Sequence, residues 1–151
     1  HVCAADDFFG RYVGAELLYK YEDFRLESAC GKNETRVMLA MEAGIHPLFV
    51  DCTNLRLWEM RPYVFLAERL GYVVKVVEPW QISHKWDDVH FLASAQDTAE
   101  RRHLGKVVQK GTLAAQLQAF EALPEGQDPL QAIRRAARPA AAQRLLEAVP
   151  V

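Results

Sequence analysis

The sequence predicts an α/β fold built on a parallel sheet, and three stretches predict it. Leu48-Phe49-Val50 is apolar on both faces, as a strand buried within a parallel sheet is. It stops at Asp51, before the polar set Cys52-Thr53-Asn54. A helical pattern then runs through Val64, Leu66, Ala67 and Leu70 to Gly71, with Pro62 expected in its first turn, where no intrahelical bond is lost. Tyr72-Val-Val-Lys-Val-Val77 follows as a valine-rich strand closing at Glu78-Pro79. Strand, helix and strand within about thirty residues make a βαβ unit, whose strands are parallel with a right-handed crossover.

From the start of the chain, Val2-Cys3-Ala4-Ala5 reads as a short buried strand ending in the carboxylates Asp6 and Asp7. Gly10 and Gly14 make the next segment loop-like as far as Glu16. From Leu17 to Ala43 the pattern is helical and expected to break near Cys30-Gly31. Its second half places Val37, Ala40 and Met41 at helical spacing, with Gly44 as the C-cap. Trp80 to Asp88 is polar and aromatic, with Trp80 and Trp86 flanking His84; packing of a loop against the sheet is the plainer reading, base stacking the other. Val89–Leu104 is less regular and ends in the basic cluster Arg101-Arg102-His103. Gly111–Leu123 reads as a helix through Leu113, Leu117 and Phe120, and residues 124–129 read as a linker. Residues 124–151 therefore form a tail to a domain of residues 1–123, with two short amphipathic helices interrupted at Pro139. Arg134, Arg135, Arg138 and Arg144 face either solvent or an acidic protein partner or phosphate.

Composition narrows the function classes. A formal net charge of −2 over 151 residues gives no general attraction to nucleic acid or to an anionic membrane, so any basic surface is local. No apolar run reaches the length of a membrane span, and no secretory leader is visible. Cys3, Cys30 and Cys52 are odd in number and widely spaced, which suits small buried thiols in a reducing intracellular compartment rather than zinc or a disulfide framework.

The carboxyl ends of parallel strands are where open α/β sheets bind ligands. Asp51 sits at such an end, where a carboxylate can hold Mg²⁺ through water. The bland alternative is that Asp51 merely caps a turn.

Several groups of residues fall in an order that resembles a known family: Ala5-Asp-Asp-Phe-Phe9, Asn33-Glu-Thr-Arg36, Ala40-Met41, Gly44, Asp51-Cys-Thr-Asn54, Trp58-Glu-Met60, Pro62-Tyr63 and Glu78-Pro79. They resemble the P-loop kinase domain of the Nedd-ligase-binding protein family, which is related to phage polynucleotide kinase and to the nucleotide-binding domain of the myelin cyclic-nucleotide phosphodiesterase. The resemblance covers residues 2 to 80 well, 81 to 121 loosely, and not the tail. It implies a three-layer sheet of P-loop kinase type, ATP and Mg²⁺ as cofactors, and a nucleic acid or nucleotide as partner. It also implies roles. Asp6 is the base that activates an acceptor hydroxyl. Asp51, Thr53 and Asn54 lie at Mg²⁺ and the phosphates, with Asp51 and Asp7 on the metal. Arg101 or Arg102 is the lid arginine that steadies charge on the transferred phosphoryl group.

Two departures from the family pattern bear on activity. The family begins with a glycine-rich phosphate loop, whereas Gly31-Lys32 and Gly105-Lys106 have neither a glycine five residues earlier nor a Ser/Thr after the lysine. The expectation is therefore an N-terminally incomplete kinase fold, with its first strand and phosphate loop upstream of His1. Phe9 also stands where the phage enzyme carries an arginine three residues after its base, with only Arg11 as a stand-in. Three readings stay open: a nucleic-acid 5′-hydroxyl kinase completed by an upstream loop, a degenerate kinase fold serving as an interaction subunit, and a nucleic-acid-binding module using Trp80, Trp86 and the Arg101-Arg102 cluster.

Overall fold

The computed structural model describes residues 1–139. In chain order the elements are β1 (Val2–Ala4), β2 (Gly10–Val13), β3 (Glu16–Tyr19), α1 (Leu26–Glu42), β4 (Phe49–Asp51), α2 (Leu57–Arg69), α3 (Pro79–Ile82), α4 (Val89–Gln96), α5 (Ala99–His103), α6 (Lys110–Ala119) and α7 (Pro129–Arg135). Short 3-10 turns cover Ala5–Phe9 and Asp23–Arg25. None of the described helices is long and apolar enough to cross a membrane.

The parallel pairing expected of the two Asp-terminated strands is present. β1 and β4 run parallel with Cys3 opposite Val50 and Ala4 opposite Asp51. Cys3 is fully buried, and Val50 leans on the same cluster, made of Val37 and Met41 from α1 with Tyr63 and Ala67 from α2. α1 and α2 thus cover one face of this pair. Both helices stop where glycine was expected to stop them. Gly44 and Gly71 have φ of +71° and +78°, and in each case the next residue bonds back around the end: Ile45 N–H to Ala40 O, and Tyr72 N–H to Ala67 O.

Several expectations need correction. Glu16–Tyr19 is a strand rather than the start of a helix. Gly14, at φ +65°, turns the chain so that Val13 pairs with Glu16, and β2 and β3 form an antiparallel hairpin. α1 then begins only at Leu26 and runs unbroken through Gly31, because Ala29, Asn33, Val37, Ala40 and Met41 make one continuous buried stripe. A glycine costs a helix about 1 kcal/mol, which that burial outweighs. Pro62 lies in the second turn of α2, not its first, so Trp58 O loses its intrahelical donor.

A further correction concerns Tyr72–Val77. Its side chains alternate as a strand's do, with Val73 99% exposed while Val74 and Val76 pack on the core, yet it joins no ladder, and the βαβ unit is not closed by hydrogen bonds. Among the described residues, each of the two sheets has only two strands. A strand needs a neighbour for its peptide groups, and none lies beside this one.

The segment beyond residue 124 is not a detached tail. α7 packs on α2 and completes a second buried cluster of Leu57, Val64, Ala132 and Ile133, with Val74 and Val76 against it. Arg134 pairs with Glu68, and Arg138 with Glu27 while lying over the Trp58 ring at 5.1 Å. Those arginines are engaged within the chain and do not present a free basic face. Arg144 and the second expected helix lie outside the described residues.

Candidate functional site

The register of β1 and β4 puts two acidic stretches at one edge. Ala4 is opposite Asp51, and the 3-10 turn that follows Ala4 carries Asp6 and Asp7. Asp51 is exposed and accepts no hydrogen bond from the described residues, as a turn cap would.

A polar network on α1 holds this edge together. Asn33 is fully buried, on the same stripe as Val37. Its Nδ2 lies 3.4 Å from Cys3 O, 3.4 Å from Cys52 Sγ and 3.3 Å from Tyr63 Oη, so one amide reaches β1, the turn after β4, and α2. Its Oδ1 accepts from Arg36 Nη2 at 2.6 Å. Arg36 donates the same nitrogen to Ala4 O at 2.5 Å and its other one to Asp7 Oδ2 at 2.8 Å. Burial raises the pKa of the Tyr63 phenol, which keeps it neutral in this setting.

Asp6 and Asp7 therefore differ. Asp7 faces Arg36 in an ion pair at 2.8 Å. Among the described residues no three His, Cys, Asp or Glu side chains cluster as a metal site would require. Asp6 instead accepts from Tyr19 Oη at 3.2 Å. Burial, together with the Asp6 charge, pushes the Tyr19 phenol up to about 12.

The two lid candidates also separate. Arg101 donates to Lys106 O at 2.9 Å, and the Lys106 ammonium sits 4.7 Å from the centre of the Tyr19 ring, whose hydroxyl bonds Asp6. Arg101 Nε is buried with no partner. Arg102 turns away to Asp97, at 2.8 Å.

Thr53 and Asn54 occupy the turn between β4 and α2, Asn54 in the left-handed region at φ +44°. Thr53 lines a cavity of about 150 Å³ walled by Trp86, Leu92, Leu117 and Phe120. Trp86 packs on Phe120 and Trp80 with ring centres 5.3 and 5.9 Å apart, so the tryptophans pack together rather than forming an open stacking platform. The N-terminus of α2 begins at this turn, and two carboxylates cap it: its own Glu59 accepts from Arg56 N–H, and Glu121, beyond α6, accepts from Leu57 N–H at 3.1 Å. That anchoring, with Glu121 N–H on Leu55 O, also ends α6 at Ala119, four residues short of the expected Leu123.

The donors present thus suit part of a Mg·ATP site. Asp51 and Thr53 offer hard oxygens for Mg²⁺, and Asp6 and Arg101 offer a base and a cation. No described segment provides the backbone cradle that phosphates need, since Gly31-Lys32 is inside α1 and the α2 terminus is capped.

Sequence reasoning did not single out Tyr19, Lys106 or Glu121. Lys106 and Glu121 carry no periodic signal. Asn33 was legible in principle, as a polar residue midway between Ala29 and Val37 on an apolar helical stripe.

The fold and its edge define an α/β protein with carboxylates at the carboxyl end of a parallel strand pair. Over 87 residues the chain is 34% identical to NEDD4-binding protein 2 of Homo sapiens, a match that takes in 56% of this chain and 5% of that relative. The two are related over that stretch. No family model matches the chain, and no solved structure does.

Proposed function

We propose that residues 1–139 are a polynucleotide-kinase-like P-loop domain that carries the acceptor side of a phosphoryl-transfer site but does not transfer phosphate by itself. The register of Ala4 against Asp51 supports this most directly, because it brings a general base and a metal-binding carboxylate to one sheet edge. Asp6 receives the acceptor hydroxyl's proton, and its hydrogen bond from Tyr19 fixes where that carboxylate points. Arg101 meets the charge on the transferred group, and Asp51 with Thr53 takes the metal side.

Calorimetry of the 151-residue chain with Mg·ATP tests the proposal. No binding tighter than about 1 mM is expected, since a loop that cradles the phosphates is absent from the sequence. A micromolar dissociation constant would overturn the inactive half of the reading. In a longer protein that joins this domain to a phosphate loop, transfer from labelled ATP to a 5′-hydroxyl oligonucleotide that survives Asp6→Asn would overturn the assignment of the base.

A second reading, a degenerate kinase fold used for protein interaction, is favoured by the β2–β3 hairpin. Tyr12, Leu17 and Leu18 are 73%, 50% and 45% exposed there. The name of the relative says that it binds NEDD4. Pull-down of this chain by NEDD4, lost on Tyr12→Ser with Leu17→Ser, is what that reading requires.

A further inference from the structure

α1 and α2 lie side by side and run in the same direction. At their amino ends Arg138 bonds Glu27 and lies over Trp58. Asn33 bonds Tyr63 at their middles, and the Tyr72 hydroxyl, just past α2, donates to Met41 O near the end of α1. Between their outer faces runs a groove of about 390 Å³. Glu34, Thr35 and Met38 of α1 wall one side, and Phe65, Leu66 and Arg69 of α2 wall the other at the same spacing. Rows of residues three and four apart are the ridges by which helices pack. Gly31 and Pro62 complete the lining, and no long side chain stands at either position to close the groove. Charge is laid along it in one order. Because Asn33 is level with Tyr63, Glu34 lies more than one turn nearer the amino ends than Arg69. Among the described residues neither forms an ion pair. Burial raises the pKa of Glu34, and the Arg138 charge only opposes this. Phe65, between the two charges, is 46% exposed.

We propose that this face docks a second copy of the chain, antiparallel, with the ridge of Phe65, Leu66 and Arg69 on each α2 seated in the other copy's groove. A twofold axis across the groove reverses its charge order. Glu34 of each copy then meets the partner's Arg69, so the ion pair forms twice, and the apolar middles of the two ridges meet at the axis. The partner's arginine supplies the charge that the desolvated Glu34 carboxylate lacks within its own chain. A helix from an unrelated protein would match the apolar ridge as well, but nothing obliges it to carry the inverse order of charges. This face carries that order by symmetry. The inference rests on α1 and α2 alone and is independent of phosphoryl transfer.

Sedimentation equilibrium of the 151-residue chain tests it. The face is small for an interface, so a dimer dissociation constant of about 10–100 µM is expected. Glu34→Arg and Arg69→Glu each set like charges against one another twice, and each should weaken the dimer about tenfold. The two changes together restore unlike pairs, and should return the constant to within about threefold of the parent's. A chain that stays monomeric up to about 1 mM overturns the proposal. So does a dimer that the single reversals leave unchanged, or one that the double reversal fails to restore. A dimer lost on Tyr12→Ser and indifferent to Glu34→Arg belongs to the β2–β3 hairpin, and overturns it too.

Discussion

Asn33 makes the largest demand on its surroundings, because a fully buried amide is tolerated only when its hydrogen bonds are met. Replacing it with alanine leaves Arg36 and Tyr63 without a shared partner at the point where both strand ends are held. Asn33→Ala should cost about 2–3 kcal/mol in denaturant unfolding. Asn33→Asp should be no better, since it removes the donors that Cys3 O and Tyr63 receive. Tyr19 supplies a pH signature. In the unfolded chain its phenol ionises near 10, and in the fold burial and Asp6 hold it near 12. The unfolded chain therefore loses its proton first as pH rises. Stability from this group is intact below pH 10 and is lost as pH climbs through 12. Tyr21, also raised to about 12, shares that window. Tyr19→Phe should make the alkaline fall in stability shallower without abolishing it, as read by unfolding midpoints from pH 9 to 12.

At the scale of elements, the tests concern which segments are integral and which face each presents. α7 begins with the Asp128 side chain accepting from Leu130 N–H, and buries Ile133 completely against α2. Ile133→Ala should destabilise by about 2–4 kcal/mol, an effect that a solvated tail would not show. Val74 and Val73 are neighbours of opposite fate. Val74→Ala should cost about 1–2 kcal/mol through lost packing on two clusters, whereas Val73→Thr should stay within about 0.5 kcal/mol. Element type followed the sequence where a local rule sufficed: glycine ends at Gly44 and Gly71, and apolar strands stopping at carboxylates. It departed where the decisive partner was remote. The hairpin depends on Gly14 adopting a positive φ, which a loop reading absorbs without revealing a strand. The end of α6 depends on Glu121 reaching Leu57, sixty-four residues away.

For the whole molecule, sequence alone determined that two short apolar strands end in acidic residues, where helices would stop, and that no dominant charge draws the chain to a polyanion. Those properties are local or additive, so pattern and composition carry them. Tertiary structure decided which carboxylate is free and which is paired. Asp6 and Asp7 are adjacent in sequence, yet only the fold brings Arg36 to Asp7 and Tyr19 to Asp6. It likewise bonded Arg101 to Lys106 O while Arg102 turned to Asp97, and seated residues 129–135 in the core. The pairing of Arg36 with Asp7 and the seating of α7 on α2 join residues tens of positions apart and form only when whole elements pack, and even the nearer pairs depend on side-chain directions that the fold sets.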